Sequence, residues 1–439
     1  MSPTSSSEAK RLASARRILE HIADKIDARF SVKLWDGSVV PLGLDARPDI
    51  QISIAGPGVL GSLLRRPTVE TLLRHYVTGR IDLEGCDVMA FADLVSAHRV
   101  KLRFGDLNKG LLFRNALPFL FTPSSNVAVE HKYRDDEIGR VPSRRNETEF
   151  IQFHYDVSNE FYSLFLGSEM QYSCAYFTDW SNPLEQAQQD KLEMICRKLR
   201  LQPGDRLLDI GCGWGGLLCY AAQHYGVQGH GVTLSQKQHD FANEKIERLG
   251  LEDRLRIELR DYRTVEGEYD KVVSIGMYEH VGIANYRTYF KKINSLLRDR
   301  GIVLNHGITR RAKSSKKKAR RINPGKKLLL KYIFPGTELD DIGHTVASME
   351  QCGFEVHDVE GWREHYAMTT RHWCRRLSDH EEEAIAHVGL ERYRMWLVYL
   401  ASVSMGFTAG PIRIYQTVAT KHKGRGPSGM PPTRKHLYE

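Results

Sequence analysis

Beyond residue 147, short apolar runs alternate with amphipathic stretches of helical spacing. RLLDIG (206–211), QGHGVTLS (228–235), RLRIELRD (254–261), DKVVSIGM (270–277) and IVLNHGI (302–308) have the length and apolar content of buried strands. Between them, GLLCYAAQHYG (216–226), QKQHDFANEKIERLG (236–250) and YRTYFKKINSLLRDRG (286–301) repeat apolar positions at the period of a helix. This alternation predicts βαβ units, hence a parallel sheet with right-handed crossovers.

The first part of the chain has a different texture. SVKLWDG (31–37) and IQISIAG (50–56) read as strands, and TVETLLRHYVTG (68–79) and VMAFADLVSAHRV (88–100) as helices, which is enough for a small α+β domain. An amphipathic helix precedes them, with Leu12, Ile18, Leu19, Ile22 and Ile26 on one face. It follows a polar tail with no apolar core of a secretion signal. A polar, Pro-containing stretch over 123–146 reads as a linker. The predicted organisation is therefore a domain over 1–122, the linker, and a second domain over 147–439.

MWLVYLASVSMGFTAGPI (395–412) approaches the length of a membrane span. A span needs about 20 predominantly apolar residues, and this run is shorter, carries serines and a threonine, and ends in Gly-Pro. It predicts a helix buried against the core.

A length of 439 residues agrees with two domains, and 41% apolar with 27% charged residues fits a globular protein. The seven cysteines show no CxxC pair or metal-ligand spacing, so no metal site is expected and a reducing cytoplasm is. A net charge of +9 favours an anionic partner, either nucleic acid or an acidic membrane surface. Much of that charge lies in one loop, 310–327, followed by the apolar LLLKYIF.

LLDIGCGWGG (207–216) ends a strand in a glycine-rich turn that opens a helix, where backbone can approach a ligand. On spacing alone a dinucleotide fits as well. Asp209 precedes Gly211 and Gly213, placed to accept from loop amides or face a cationic ligand end. The next strand ends GVTLSQ, with Thr233 and Gln238 nearby but no acid to grip a dinucleotide ribose. The third ends in Asp261 and Tyr262, an acceptor and an aromatic face suited to an adenine. Together these look like the S-adenosylmethionine site of the Rossmann-like methyltransferases, which sets the fold class as α/β.

FHYDVSNEFYSLFL, MQYSCAYF, LDIGCGWGG, GVTLSQKQ, RDYR, SIGMYEHVG, KYIFPG and the spacing of Trp362, Tyr366 and Trp373 occur in one order over residues 147–415. That set closely resembles the cyclopropane-fatty-acyl-phospholipid synthases and their mycolic-acid cyclopropane relatives. The first domain resembles, more loosely, the lipid-engaging domain of the longer bacterial members. The resemblance implies transfer of a sulfonium methyl to the cis double bond of a phospholipid acyl chain, then proton loss and ring closure. It adds Tyr172 and Ser173 to the cofactor contacts. It implies a bicarbonate base held by Glu279, His306, Tyr366 and the backbones of Cys174 and Ile308. An alkene is a weak nucleophile, so such a site must orient the methyl and exclude water. Aromatic faces attract a cation without reacting with it, and Tyr155, Tyr172, Phe177 and Tyr278 lie in the matching motifs. His280 is expected to shape its turn, not to bind a ligand.

Two positions depart from the family pattern. Some members carry a cysteine where Val403 stands, so no thiol chemistry is expected there, and the Cys174 side chain is expected to pack. The basic loop is also longer than the pattern requires. The implied setting is cytoplasmic, peripheral to the inner face of an anionic membrane; no nucleic acid partner is expected, and a homodimer is compatible with the sequence. Three other functions compete. A methyltransferase leaving a methyl or methylene branch shares the first half-reaction. An RNA methyltransferase would suit the charge but lacks a recognisable RNA module. An inactive lipid-binding protein would need a damaged glycine loop or a missing Glu279.

Overall fold

The computed structural model describes residues 6–26, 28–97, 107–120, 122, 157–313, 338–422, 424 and 426–438. The expected linker, Tyr155, LLLKYIF and the basic loop from residue 314 onward lie outside them.

Helix α1 (Ser6–Ala23) buries Ala15, Ile18 and Leu19, and Leu12, Ile22 and Ile26 pack partly buried against the same cluster, the face that the pattern predicts. That cluster lies on a four-stranded sheet of β1 (Ser31–Lys33), β2 (Val39–Pro41), β3 (Gln51–Ile54) and β4 (Ile81–Glu84), in the order β2-β1-β3-β4. β1 and β3 are parallel, and the outer pairs are antiparallel. Helices α2 (Pro57–Arg65), α3 (Val69–Val77), α4 (Val88–Ala97) and α5 (Lys109–Leu120) complete this part. Residues 377–401 belong to the same compact unit, so the second domain is not the continuous 147–439 stretch expected. Arg394 supplies a physical reason: its guanidinium donates to the carbonyls of Tyr76 (2.8 Å) and Ile81 (3.4 Å) and pairs with Asp82 (2.7 Å).

The second unit is built on β5 (Arg206–Ile210), β6 (Gln228–Thr233), β7 (Leu255–Leu259), β8 (Tyr269–Ile275), β9 (Leu297–Arg310), β10 (Phe354–Gly361) and β11 (Ile412–Lys421). Its helices are α6 (Asn159–Leu166), α7 (Leu184–Leu199), α8 (Gly216–Tyr225), α9 (Gln236–Arg248), α10 (Tyr278–Val281), α11 (Tyr286–Leu296), α12 (Ile342–Glu350) and the start of α13 (Arg363–Asp379). Beyond it come α14 (Glu381–Val388) and α15 (Leu390–Ala409). Leu207, Val273 and Leu304 join one apolar cluster, while their neighbours Leu208, Val272 and Val303 join another. Successive strand side chains face opposite ways, so both faces of the sheet are buried and its strands read as near-continuous apolar runs.

The strand order is β10-β11-β9-β8-β5-β6-β7. From β7 to β9 all neighbours are parallel, whereas β11 runs antiparallel between β9 and β10. The wholly parallel expectation is corrected there. β9 also begins at Leu297, inside the stretch read as helical. Leu297 is fully buried and pairs with Tyr269, and the register then jumps to Lys271 opposite Ile302, leaving Arg300 at a φ of 60°. Chain order reverses on either side of β5, opening a crevice at the carboxyl ends of β5 and β8. The apolar run 395–412 falls largely in α15, with Leu397, Leu400, Val403 and Phe407 buried. No described helix is long and apolar enough to cross a membrane.

Candidate functional site

The glycine turn after β5 is held by its neighbour strand: the amides of Gly211 and Cys212 both donate to the carbonyl of Val232, at 3.0 and 3.1 Å. Gly211 and Gly213 take φ values of 81° and 55°, a region that favours glycine, and a Cβ on Gly213 would meet nothing within 4 Å. The turn therefore borders open space. All nine expected cofactor residues line this one cleft: Tyr172, Ser173, Asp209, Gly211, Gly213, Thr233, Gln238, Asp261 and Tyr262. Thr233 and Gln238 are joined, Oγ1 donating to Oε1 at 2.8 Å, and Ser235 caps α9 by accepting from the Gln238 amide.

Two acidic residues of the cleft have basic neighbours within the chain. Asp261 accepts from the Arg263 amide at 2.9 Å and pairs with its guanidinium at 2.6 Å. Burial opposes that charge, but the Arg263 contacts outweigh it and hold the carboxyl below its usual range. Asp209 is buried, and desolvation pushes its pKa up while Lys191 pulls it back. Lys191 is itself fully buried, and its ammonium is pushed down by desolvation. It donates to Gln171 Oε1 and, at 3.1 Å, to Ser173 Oγ, bracing two cleft residues. Nothing in the motifs singled out Lys191. The available signal was its place on the buried stripe of α7 with Ala187, Leu192 and Ile195.

Of the expected proton-handling residues, Glu279, His306 and Ile308 meet at β9, where that strand passes the end of β8. Glu279 sits on α10, buried, with a hydrogen bond from the backbone N–H of Ile308. Desolvation pushes its carboxyl up to about 7, and Oε2 has no partner. His306 is level with Ile275, the last residue of β8, and its carbonyl accepts from the Gly276 amide at 2.9 Å. Its Nε2 is buried without a partner, and burial keeps the imidazole neutral, well below its ordinary pKa. Trp362 joins this group to two other expected residues. Its ring meets that of His306 edge-on at 5.1 Å, and its carbonyl accepts from the Tyr366 amide at 3.1 Å and faces Cys174 Sγ at 3.8 Å. The Cys174 thiol also donates to the Ala175 carbonyl at 3.2 Å, and burial pushes its pKa far up, so it packs as expected.

The aromatic candidates separate. Tyr172 lines the cleft and meets the ring of Trp373 at 5.3 Å. Tyr278 is committed to packing, with its ring on Tyr286 at 4.5 Å and its hydroxyl on Thr345 at 2.6 Å. Phe177 stacks on His372 at 5.8 Å. His280, expected only to shape a turn, lines the cofactor cleft, with burial pushing its imidazole down to about 4.

Comparison with known proteins bears on this geometry. Residues 142–417 match the family described as mycolic acid cyclopropane synthetase. A probable fatty acid methyltransferase of Pseudomonas putida is 38% identical over 409 residues, covering 93% of this chain and 95% of the relative. The cyclopropane-fatty-acyl-phospholipid synthase of Escherichia coli is 41% identical over 269 residues, covering 61% of this chain and 66% of the relative. Among solved structures, mycolic acid cyclopropane synthase CmaA1 complexed with SAH and CTAB aligns at a TM-score of 0.59 and 32% identity, covering 62% of this chain and 98% of that one.

Proposed function

Since the chain belongs to the mycolic acid cyclopropane synthetase family and is an S-adenosylmethionine-dependent methyltransferase, we propose that it adds a one-carbon unit to the cis double bond of an unsaturated acyl chain on a membrane phospholipid and closes a cyclopropane ring. The second unit is the Rossmann-like methyltransferase fold, and the first is a small α+β domain. The observation that carries the proposal is the pair of buried, unpartnered atoms Glu279 Oε2 and His306 Nε2. Ring closure requires that a proton leave a site from which water is excluded.

S-adenosylmethionine fits the cleft, whose glycine turn leaves room for a ligand against backbone, and when bound it supplies an electrophilic methyl group. The chain's own residues do the rest. Gly211 and Gly213 admit the cofactor, Thr233, Gln238, Asp261 and Tyr262 border it, and Tyr172 with Trp373 walls off water. A small oxyanion such as bicarbonate fits the chemistry of the second group. Glu279, protonated up to about pH 7, has a proton to share. The backbones of Cys174 and Ile308 and the side chain of Tyr366 belong to the same proposed cradle. An anion beside a carboxylate is costly unless one of them carries a proton.

The test is turnover of wild type and Glu279→Ala in degassed buffer with and without bicarbonate. Wild type is expected to slow and recover, and Glu279→Ala to be crippled and indifferent, with cofactor affinity retained. Wild-type turnover independent of bicarbonate would remove the anion and leave Glu279 as the base. The P. putida relative, matched over nearly its whole length and named a fatty acid methyltransferase, supports a second reading in which a branch replaces the ring. Mass spectrometry of the product before and after hydrogenation separates a ring, a methylene and a saturated branch.

For the lipid, the proposed contact is an anionic bilayer met by Arg311, Lys313 and the cations beyond them. Arg310 is better described as structural, since it pairs with Asp340 at 3.0 Å and Asp341 at 3.4 Å. Lys316, Lys317, Lys318, Arg320 and Arg321 lie outside the described residues. A polybasic segment gains about 1 kcal/mol per residue at such a surface, screened by salt. Equal binding to anionic and neutral vesicles would refute the contact.

A further inference from the structure

His306 does not stand alone in the sheet. Across the antiparallel pair its register partner is Gln416 on β11, whose own partner on β10 is Glu360. Directly opposed residues of neighbouring strands share a face, so these three form one row. Ile302, Leu304 and Val418 join the apolar cluster that includes Leu192, Ile195 and Leu199 of α7, which places the row on the α7 side. From that helix Lys198, buried at 2% exposure, reaches into the row. Its ammonium donates to Gln416 Oε1 at 2.8 Å, pairs with Glu360, and lies 5.2 Å from the centre of the Trp362 ring. Asp358 is a more distant counter-charge at 3.9 Å.

The chemistry of these groups fixes where the protons lie. An ammonium has donors only, so the atom of Gln416 facing Lys198 must be the amide oxygen. A flipped amide would set NH2 against NH3+. The amide nitrogen is thereby turned to His306 Nδ1, 3.1 Å away. A primary amide nitrogen donates, so Nδ1 must accept. The neutral ring then carries its hydrogen on Nε2, the buried atom without a partner. Two residues further along the same strand, the Ile308 amide donates to Glu279.

We propose that Gln416, itself oriented by Lys198, is a positioning residue that locks His306 in the Nε2–H tautomer, so that the site presents a neutral N–H donor to a small oxyanion held with Glu279. The proposal rests on the anion reading above and extends it to residues beyond the anion's own contacts. The lock requires both partners. Without the lysine the amide can turn over, and without the amide either ring nitrogen can hold the proton.

The deciding experiment reads the tautomer and the anion separately. Ring-15N-labelled full-length protein gives the protonated nitrogen of His306, assigned by the signal lost in His306→Asn. Wild type is expected to carry the proton on Nε2, and a proton on Nδ1 would overturn the proposal without any variant at position 416. In Gln416→Glu the new carboxylate accepts from both Lys198 and the ring, which moves the proton to Nδ1 and turns Nε2 into an acceptor. The bicarbonate concentration for half-maximal turnover should then rise at least about tenfold, the scale of one lost hydrogen bond to an ion, with cofactor affinity unchanged. An unaltered bicarbonate requirement in a folded Gln416→Glu protein whose proton has moved would also overturn it. Wild-type turnover indifferent to bicarbonate, with the proton on Nε2, would defeat the anion reading and leave the tautomer lock standing.

Discussion

Gly307 lies flat against Tyr278: a Cβ on residue 307 would come within 2.7 Å of the ring carbon Cδ1. This contact presses α10, which carries Glu279, onto β9, which carries His306. The ring cannot retreat easily, because it is fully buried, stacked on Tyr286 and tied to Thr345 through its hydroxyl. Gly307→Ala is therefore expected to cost about 1–3 kcal/mol of stability, the usual scale of overpacking, and to lower kcat sharply by moving α10 off β9. Denaturation curves and turnover on one preparation check it. An alanine variant with full stability and activity would show that the two elements are free to separate.

At Gly213 the expectation concerns the cofactor. The φ of 55° strains any branched side chain, and a Cβ there would project into open space beside the glycine turn. Gly213→Val should abolish S-adenosylmethionine binding in calorimetry on folded protein. Retained affinity would place the cofactor elsewhere.

How much of this site could be read from the chain depends on whether a residue belongs to a local motif. The glycine turn, the acidic-aromatic pair at 261–262 and Glu279 each follow a strand, and strand ends are marked by the passage from apolar run to polar turn. His306 lies inside β9, which runs on to Arg310, and is marked instead by the polar break Asn305-His306-Gly307 in an apolar run. Lys191 and Lys198 carry no such mark. They sit on LEQAQQDKLEMICRKL, whose polar composition resembles that of a solvated helix, and only packing shows that both point inward. Gln416 becomes meaningful only once β11 is seen to run antiparallel beside β9, a pairing of residues far apart in sequence. The same distance in sequence hid the membership of 377–401 in the first unit, since Arg394 meets Asp82 through no shared local pattern.

Arg394 makes that membership measurable. Truncation in Arg394→Ala would leave the carbonyls of Tyr76 and Ile81 without this donor and Asp82 without its partner. A loss of about 2 kcal/mol is expected, the scale of removing donors from buried acceptors. Hydrogen exchange should quicken over residues 76–84. Arg394→Lys should recover little of this, because an ammonium cannot reproduce the guanidinium fork. Unchanged exchange in that segment would mean that other contacts hold 377–401 in place.

The pH dependence of stability tests the environment of Glu279 apart from catalysis. Desolvation raises its carboxyl from 4.5 to about 7 in the folded chain. Between those values the native state keeps a proton that the unfolded chain has released, so stability falls as pH rises through that window and is level on either side. At 1.36 kcal/mol per pKa unit the fall is about 3 kcal/mol. Asp209, also raised by burial, acts in the same direction, while Lys191, lowered by burial, acts oppositely at higher pH. The clean quantity is therefore the difference between wild type and Glu279→Gln, which removes one titration and keeps the shape. Urea denaturation at closely spaced pH values should show wild type losing about 3 kcal/mol relative to the glutamine variant between pH 4.5 and 7. Parallel curves across that window would mean that Glu279 ionises normally in the folded chain, and its proton would then be unavailable for sharing with an anion near neutral pH.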